Sequence, residues 1–214
     1  MKNQNIPMKR LFTSLCALLV LVITLTARAQ TVTVIAPQGD ASHDNGWQAP
    51  AFLDIVAVSF SISNTLTLTV DVAGSLDALP NPPGSQGMFD WHFALNTDPS
   101  TFPLGLPGPP DFMAGAEFFV GAFWDGTSFS GVLFDRRPTL TGGDTLQYSI
   151  PVSVSGSRIT LTVPEELAAE IRAAVLPGAR WSCITGWGTQ GYGRLDGNGQ
   201  PKFIDFVVDN PWPQ

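Results

Sequence analysis

Cysteine, histidine and charge are all scarce in this chain of 214 residues. It has two cysteines, Cys16 and Cys183, two histidines, His43 and His92, and only 14% charged residues. So few Cys and His exclude a disulfide framework and a zinc centre built on paired cysteines, both of which need several ligands in place. No G-x-S-x-G elbow is present, because the nearest stretch, Gly126-Thr127-Ser128-Phe129-Ser130, lacks the last glycine, and no H-E-x-x-H occurs. Catalysis therefore has little to work with. Basic residues are also few, 11 against 18 acidic ones for a formal charge of −7. That balance argues against nucleic acid and anionic membrane surfaces as partners.

The first segment reads as an address for export. Lys2, Lys9 and Arg10 precede an apolar run over 11–25, and Ala27-Arg28-Ala29 before Gln30 has the small-x-small pattern that signal peptidase cuts. The run is shorter than the ~20 residues a membrane span needs, so no membrane insertion is expected after cleavage. Cys16 follows Leu15 rather than a small residue, which argues against a lipoprotein cleavage box. Residues 1–29 carry four positive charges and no negative ones, so the exported chain stands at −7 − 4 = −11 with Cys183 as its sole cysteine. An intrachain disulfide is then impossible, and the core must hold by packing. Cys183, in Trp181-Ser182-Cys183-Ile184, reads as a buried small hydrophobe. Residues 30–214 are expected to form one secreted domain.

What is abundant is turn and strand chemistry. The chain has 21 Gly and 18 Pro, with Thr, Ser and Val crowding the segments between them, a composition that favours an all-β fold. In 89–95, Phe89, Trp91, Phe93 and Leu95 alternate with Asp90, His92 and Ala94, the two-residue period of a strand with one face on a core. The next strand has apolar residues on both faces, Ala116, Phe118, Val120, Ala122 and Trp124 on one and Phe119 and Phe123 on the other, as a central strand would. Residues 52–74 read as a hairpin turning at Ser63-Asn64, with Val56, Val58, Phe60 and Ile62 sharing a face. Asp125-Gly126 predicts a turn into a strand over 129–134. A further hairpin is expected from 145–154 and 158–163, and the final strand over 203–208. The one helix is expected over 164–176, with proline at its start and Glu165 and Glu166 in the first turn. Trp181 begins a strand that should run into a glycine-rich loop. Residues 97–115, with five prolines, make a connection long enough to be either functional or a stiffened surface loop.

The order of these parts resembles the exported bacterial β-sandwiches of the DOMON-like superfamily, which includes the family-nine carbohydrate-binding modules. The likeness is carried by Gly39-Asp40, the hairpin LDIVAVSFSISNTLTLTVDVAG, a strand ending in LNTDPST, then GAEFFVGAFWDG, SGSRITLTVP and a last strand near Asp209-Asn210-Pro211. It covers most of residues 36–211, though each motif alone is only a turn or strand pattern. The resemblance implies a two-sheet antiparallel β-sandwich, jelly-roll-like, that binds a ligand, often a carbohydrate or cell-surface glycan. In some members it implies a structural calcium, and in others a b-type haem, so fold alone does not select the function.

Three groups of residues are candidates for a site. For calcium, Asn96, Asp98 and Glu117 offer oxygens at an acidic turn, with Asp125 as a further ligand. The structural alternative is an Asx-turn beside a surface glutamate. Asp196-Gly197-Asn198-Gly199 is not a helix-loop-helix calcium loop, because Pro201 stands where that loop needs glycine. For a sugar, Trp187 and Tyr192 offer flat apolar faces, with Arg194 and Asp196 near them for hydroxyls. Trp124 and Trp47 are further candidates, and core packing is the alternative for each. For glycoside hydrolysis the pair would be Glu117 with Asp90 or Asp98. Haem is not expected: Met88 and His92 lie too near along one segment to ligate opposite faces, which leaves Met113 with His92. The reading that follows is an exported, non-catalytic binding module. A structural or adhesive envelope protein with no small-molecule site is the alternative.

Overall fold

The structure, a computed structural model, describes residues 29–41, 49–82, 87–101, 115–189 and 203–213, with the side chains of 187–189, 203, 204, 206, 208 and 209 left aside. The expected signal segment, Trp47, most of the proline-rich connection and the stretch with Tyr192, Arg194 and Asp196 lie outside these residues. Eleven described strands follow in chain order. They are β1 (Gln30–Ile35), β2 (Ile55–Ile62), β3 (Leu66–Val72), β4 (Gly87–Asn96), β5 (Phe118–Trp124) and β6 (Phe129–Asp135). Then come β7 (Leu146–Ile150), β8 (Val152–Ser155), β9 (Arg158–Val163), the helix α1 (Glu165–Ala174), β10 (Arg180–Thr189) and β11 (Phe203–Pro211).

They form two antiparallel sheets, β1-β2-β3-β9-β8 and β11-β10-β4-β5-β6-β7, so the all-β class expected from composition and the two-sheet antiparallel sandwich that the resemblance implies are both observed. Inward residues of both sheets make a single core, with Phe60, Leu66, Leu68 and Val70 from the first meeting Trp91, Phe93, Phe118 and Trp181 from the second. Side chains that alternate across a pleat bury one face this way and leave the other outward. Trp91 and Trp181 are core residues as expected, each using its indole N–H on a backbone carbonyl, of Phe52 at 2.9 Å and of Pro211 at 3.0 Å. The wet face of the first sheet also follows the sequence. Thr31 and Thr33 hydrogen-bond Ser61 and Ser59 across β1 and β2 at 2.9 Å, and Arg158 pairs with Asp71.

Three local expectations change. A register shift between Ile55 and Ala57 puts Ile55 in the core and leaves Val56 half-buried, so the hairpin's shared face is not a simple alternation from 56. The strand expected over 145–154 is broken at Pro151, with β7 in the six-stranded sheet and β8 in the five-stranded one. Proline lacks the N–H a ladder requires, so the chain changes sheets where pairing would fail in any case. Finally, β10 runs to Thr189, so the backbone of Trp187 belongs to a strand paired with Phe89 rather than to a loop.

The helix α1 begins after Pro164, buries Ala168 and Ile171, and donates from Arg172 to the carbonyls of Ser63 and Asn64 at 2.7 and 2.9 Å, clasping the β2–β3 turn. No helix among the described residues is long and apolar enough to cross a membrane.

Candidate functional site

The outward face of the six-stranded sheet is not the solvated surface that a sandwich usually presents there. On β4, Asp90, His92, Ala94 and Asn96 point away from the core, and the register sets His92 between Gly121 and Ile184, and Asp90 between Phe123 and Gly186. Asp90 and His92 are 1% and 2% exposed, and Phe119, Phe123, Ala94 and Ile184 beside them are buried too. Phe119 meets the imidazole edge-on with centroids 5.9 Å apart, and Phe123 meets Phe134 at 6.3 Å. Gly121 makes this packing possible, because a Cβ there would lie 2.9 Å from the His92 Cβ and 3.1 Å from the Phe123 ring.

Polar atoms in this layer lack partners. Oδ1 of Asp90, both ring nitrogens of His92 and Oδ1 of Asn96 are buried with no hydrogen bond. Each such atom costs about 1–3 kcal/mol relative to a satisfied one. Burial pushes the Asp90 carboxyl up to about 7, against a lesser lowering by the hydrogen bond it accepts from the Gly186 backbone N–H. Burial pushes His92 down to about 4. Desolvation disfavours the charged form of either group, so the imidazole is neutral at pH 7 and the carboxyl is poised to release its proton.

The three expected calcium ligands lie at the opposite end of the β4–β5 pair. Glu117 is 3% exposed, and its carboxylate is the anchor of the turn after β4. Its Oε2 accepts from the Thr97 N–H at 2.6 Å, the Thr97 hydroxyl at 3.0 Å and the Asp98 N–H at 3.2 Å, and its Oε1 from the Thr101 hydroxyl. A buried carboxylate in an apolar strand needs partners, and here protein donors supply them. Asp98 faces Ser100 instead, whose hydroxyl and N–H, at 2.6 and 2.9 Å, hold its carboxyl below the usual carboxylate range. The arrangement combines the Asx-turn alternative with a glutamate that is buried rather than at the surface. Asp125 is similarly occupied by Thr127 and Ser128 within its own turn.

The aromatic candidates divide. Trp124 is half-buried, donates its indole N–H to the Pro80 carbonyl at 3.2 Å and stacks at a tilt on Phe129 at 5.0 Å, so its polar handle is already engaged. For Trp187 the backbone alone is placed, in β10. Tyr192, Arg194 and Asp196 lie outside the described residues, and Met113 does also. Thr189, the last residue of β10, pairs with Gly87, three residues from Asp90.

As a hydrolytic pair, Glu117 and Asp90 are too far apart. Asp90 pairs with Phe123, six residues along β5 from Glu117, or about 20 Å at strand rise, where a glycosidase needs about 5–10 Å. The sequence reading places Asp90 and His92 on the strand face away from the core and offers them singly, as a hydrolytic partner and a haem ligand, not as a buried pair. The signal was present in Phe119 and Phe123, which make the outward face of the neighbouring strand apolar. Comparison of the chain with protein-family models, curated proteins and solved structures gave no match.

Proposed function

We propose that this chain is an exported, non-catalytic binding module, and that it takes a carbohydrate or similarly polar ligand at the outward face of the six-stranded sheet. The observation that carries it is the pair of neighbouring polar groups with unmet atoms on β4, the Asp90 carboxyl and the His92 imidazole, on one strand face beside phenylalanine rings. A pyranose presents the complementary chemistry, hydroxyls around its edge and an apolar face. Binding there would exchange the cost of orphaned lone pairs for hydrogen bonds to the ligand. Trp187, Tyr192, Arg194 and Asp196 are the residues whose aromatic and polar chemistry this reading would add; their side chains lie outside the described part of the structure. Trp124 serves packing in this reading.

A glycan array and a pull-down on insoluble polysaccharide test it, using the parent chain, His92→Ala, Trp187→Ala and Tyr192→Ala. Binding that falls at least about tenfold in His92→Ala, a loss of about 1.4 kcal/mol, is the expected result. Binding to no glycan favours a structural or adhesive envelope role, and binding unmoved by all three changes removes this face as the site. The two free imidazole nitrogens also permit a second reading, His92 as an axial ligand of a b-type haem. A Soret band in the purified protein, lost in His92→Ala, would establish it.

A further inference from the structure

Three aspartates from separate parts of the chain meet at one end of the sandwich: Asp40 in the turn after β1, Asp54 immediately before β2, and Asp205 on β11. One carboxylate oxygen from each lies within 4.8 Å of the other two. Asp54 is 5% exposed and Asp205 6%, while Asp40 is at the surface. The sequence separates them by up to 165 residues, and the fold brings them together through two backbone contacts. The Gly39 N–H, in a turn whose φ of 86° suits glycine, donates to Oδ2 of Asp54 at 2.8 Å. The Ile55 N–H donates to Oδ2 of Asp205 at 2.5 Å, linking the five-stranded sheet to the edge of the six-stranded one.

The second oxygen of Asp54 is the exception. Oδ1 is buried and has no hydrogen-bond partner, although it belongs to a carboxylate with two others beside it. Like charges this close repel, and a buried carboxylate oxygen without a donor is costly. A hard cation removes both penalties at once. At Glu117 every oxygen already meets protein donors, and the unmet Oδ1 of Asp90 belongs to no carboxylate cluster, whereas that of Asp54 stands beside two further carboxylates.

We propose that Asp40, Asp54 and Asp205 hold a divalent cation, calcium by its ligand preference, that ties the turn after β1 to β11 across the two sheets. Three carboxylates suit calcium, which accepts six to eight oxygens in flexible geometry; magnesium keeps most of its water and takes one or two carboxylates. The remaining positions fall to backbone carbonyls or water.

The test is thermal unfolding of the purified protein, stripped with EGTA and then titrated with free calcium, in the absence of any glycan. The parent midpoint should rise by about 5–10 °C by the time calcium exceeds its Kd a hundredfold. Asp40→Asn, at the surface and therefore expected to fold, should weaken calcium at least about tenfold, since site charge sets affinity. Asp54→Asn should abolish the shift, and Asp98→Asn should leave it unchanged. A midpoint flat in calcium overturns the proposal. So does a shift that Asp40→Asn and Asp54→Asn leave undiminished, at the same free calcium, or one that Asp98→Asn removes. Should Asp54→Asn fail to fold, Asp40→Asn decides alone. Because no glycan is present, the outcome is independent of the glycan screen.

Discussion

Asp90 and His92 stand on the same face of β4 with Oδ2 and Nδ1 3.9 Å apart, close enough to feel each other's charge and too far for a hydrogen bond. Burial, rather than mutual attraction, governs both: it raises the acid and lowers the base. Between about pH 4 and pH 7 the pair is therefore uncharged, a carboxylic acid beside a neutral imidazole. Such a pair can donate and accept without the desolvation cost of an ion, which suits the polar ligand proposed for this face.

The two titrations oppose each other in stability, and removing either one exposes the other. The unfolded chain releases the Asp90 proton near 3.8 and the folded chain near 7, so this group's contribution is full below 3.8 and falls as pH rises to about 7. His92 gains its proton near 6.5 when unfolded and near 4 when folded, so its contribution is full above 6.5 and falls as pH drops to about 4. The slopes largely cancel from pH 4 to 6.5. In Asp90→Asn, stability relative to the parent should rise with pH, by about 4 kcal/mol at most between pH 4 and 7. In His92→Gln it should fall over pH 4–6.5, by about 3 kcal/mol at most. Urea midpoints measured across this range check both; variants that parallel the parent would show that neither group is buried in the manner described.

Glu117→Ala should be among the more destabilising single changes in the chain. It strands the N–H groups of Thr97 and Asp98 and the hydroxyls of Thr97 and Thr101 in a buried turn. A loss of about 3 kcal/mol is expected from urea unfolding, against about 1 kcal/mol for Thr101→Val, which removes one donor. Equal effects of the two would mean that Glu117 is not the organising acceptor.

These residues also show where the sequence was legible. Alternation in β4 and β5 identified the inward tryptophans and phenylalanines because a period of two maps directly onto faces. The same rule set Asp90 and His92 on the opposite face without foreseeing their burial, since periodicity reports which face a residue is on and not what lies against that face. The Asp40–Asp54–Asp205 cluster was illegible for a different reason: its members come together only through the β2–β11 contact between sheets, which no local pattern encodes. Glu117 was recognisable as a carboxylate in need of partners, but neighbouring threonines and backbone N–H groups are too common in any sequence to stand out as its donors. Pro151 carries a local signal for a strand break that the reading of 145–154 as one strand overlooks.

Glycine positions give a graded test of packing between strands. A Cβ at Gly131 would lie 2.5 Å from the Ile150 carbonyl oxygen, a backbone atom held by the β6–β7 ladder, whereas at Gly121 the closest atom is a side-chain Cβ at 2.9 Å. Gly131→Ala should therefore cost more than Gly121→Ala, with both at about 1–3 kcal/mol. Thermal midpoints in the reverse order would contradict the placement of β7 against β6.

Cys183 offers a probe of global opening that needs no substitution. The thiol is fully buried in the core, and desolvation, with the nearby Asp205 charge adding to it, pushes it well above the ordinary cysteine range. Only the thiolate reacts with a disulfide reagent, so a native chain should be almost inert at pH 8 and react at once in denaturant. With excess reagent the slow native reaction should then track unfolding, so that Glu117→Ala accelerates it and Arg158→Ala, at an exposed ion pair on the far sheet, barely does. Rapid labelling of the folded parent would place Cys183 outside the core, and with it the strand that carries Trp181, Ile184 and the approach to Trp187.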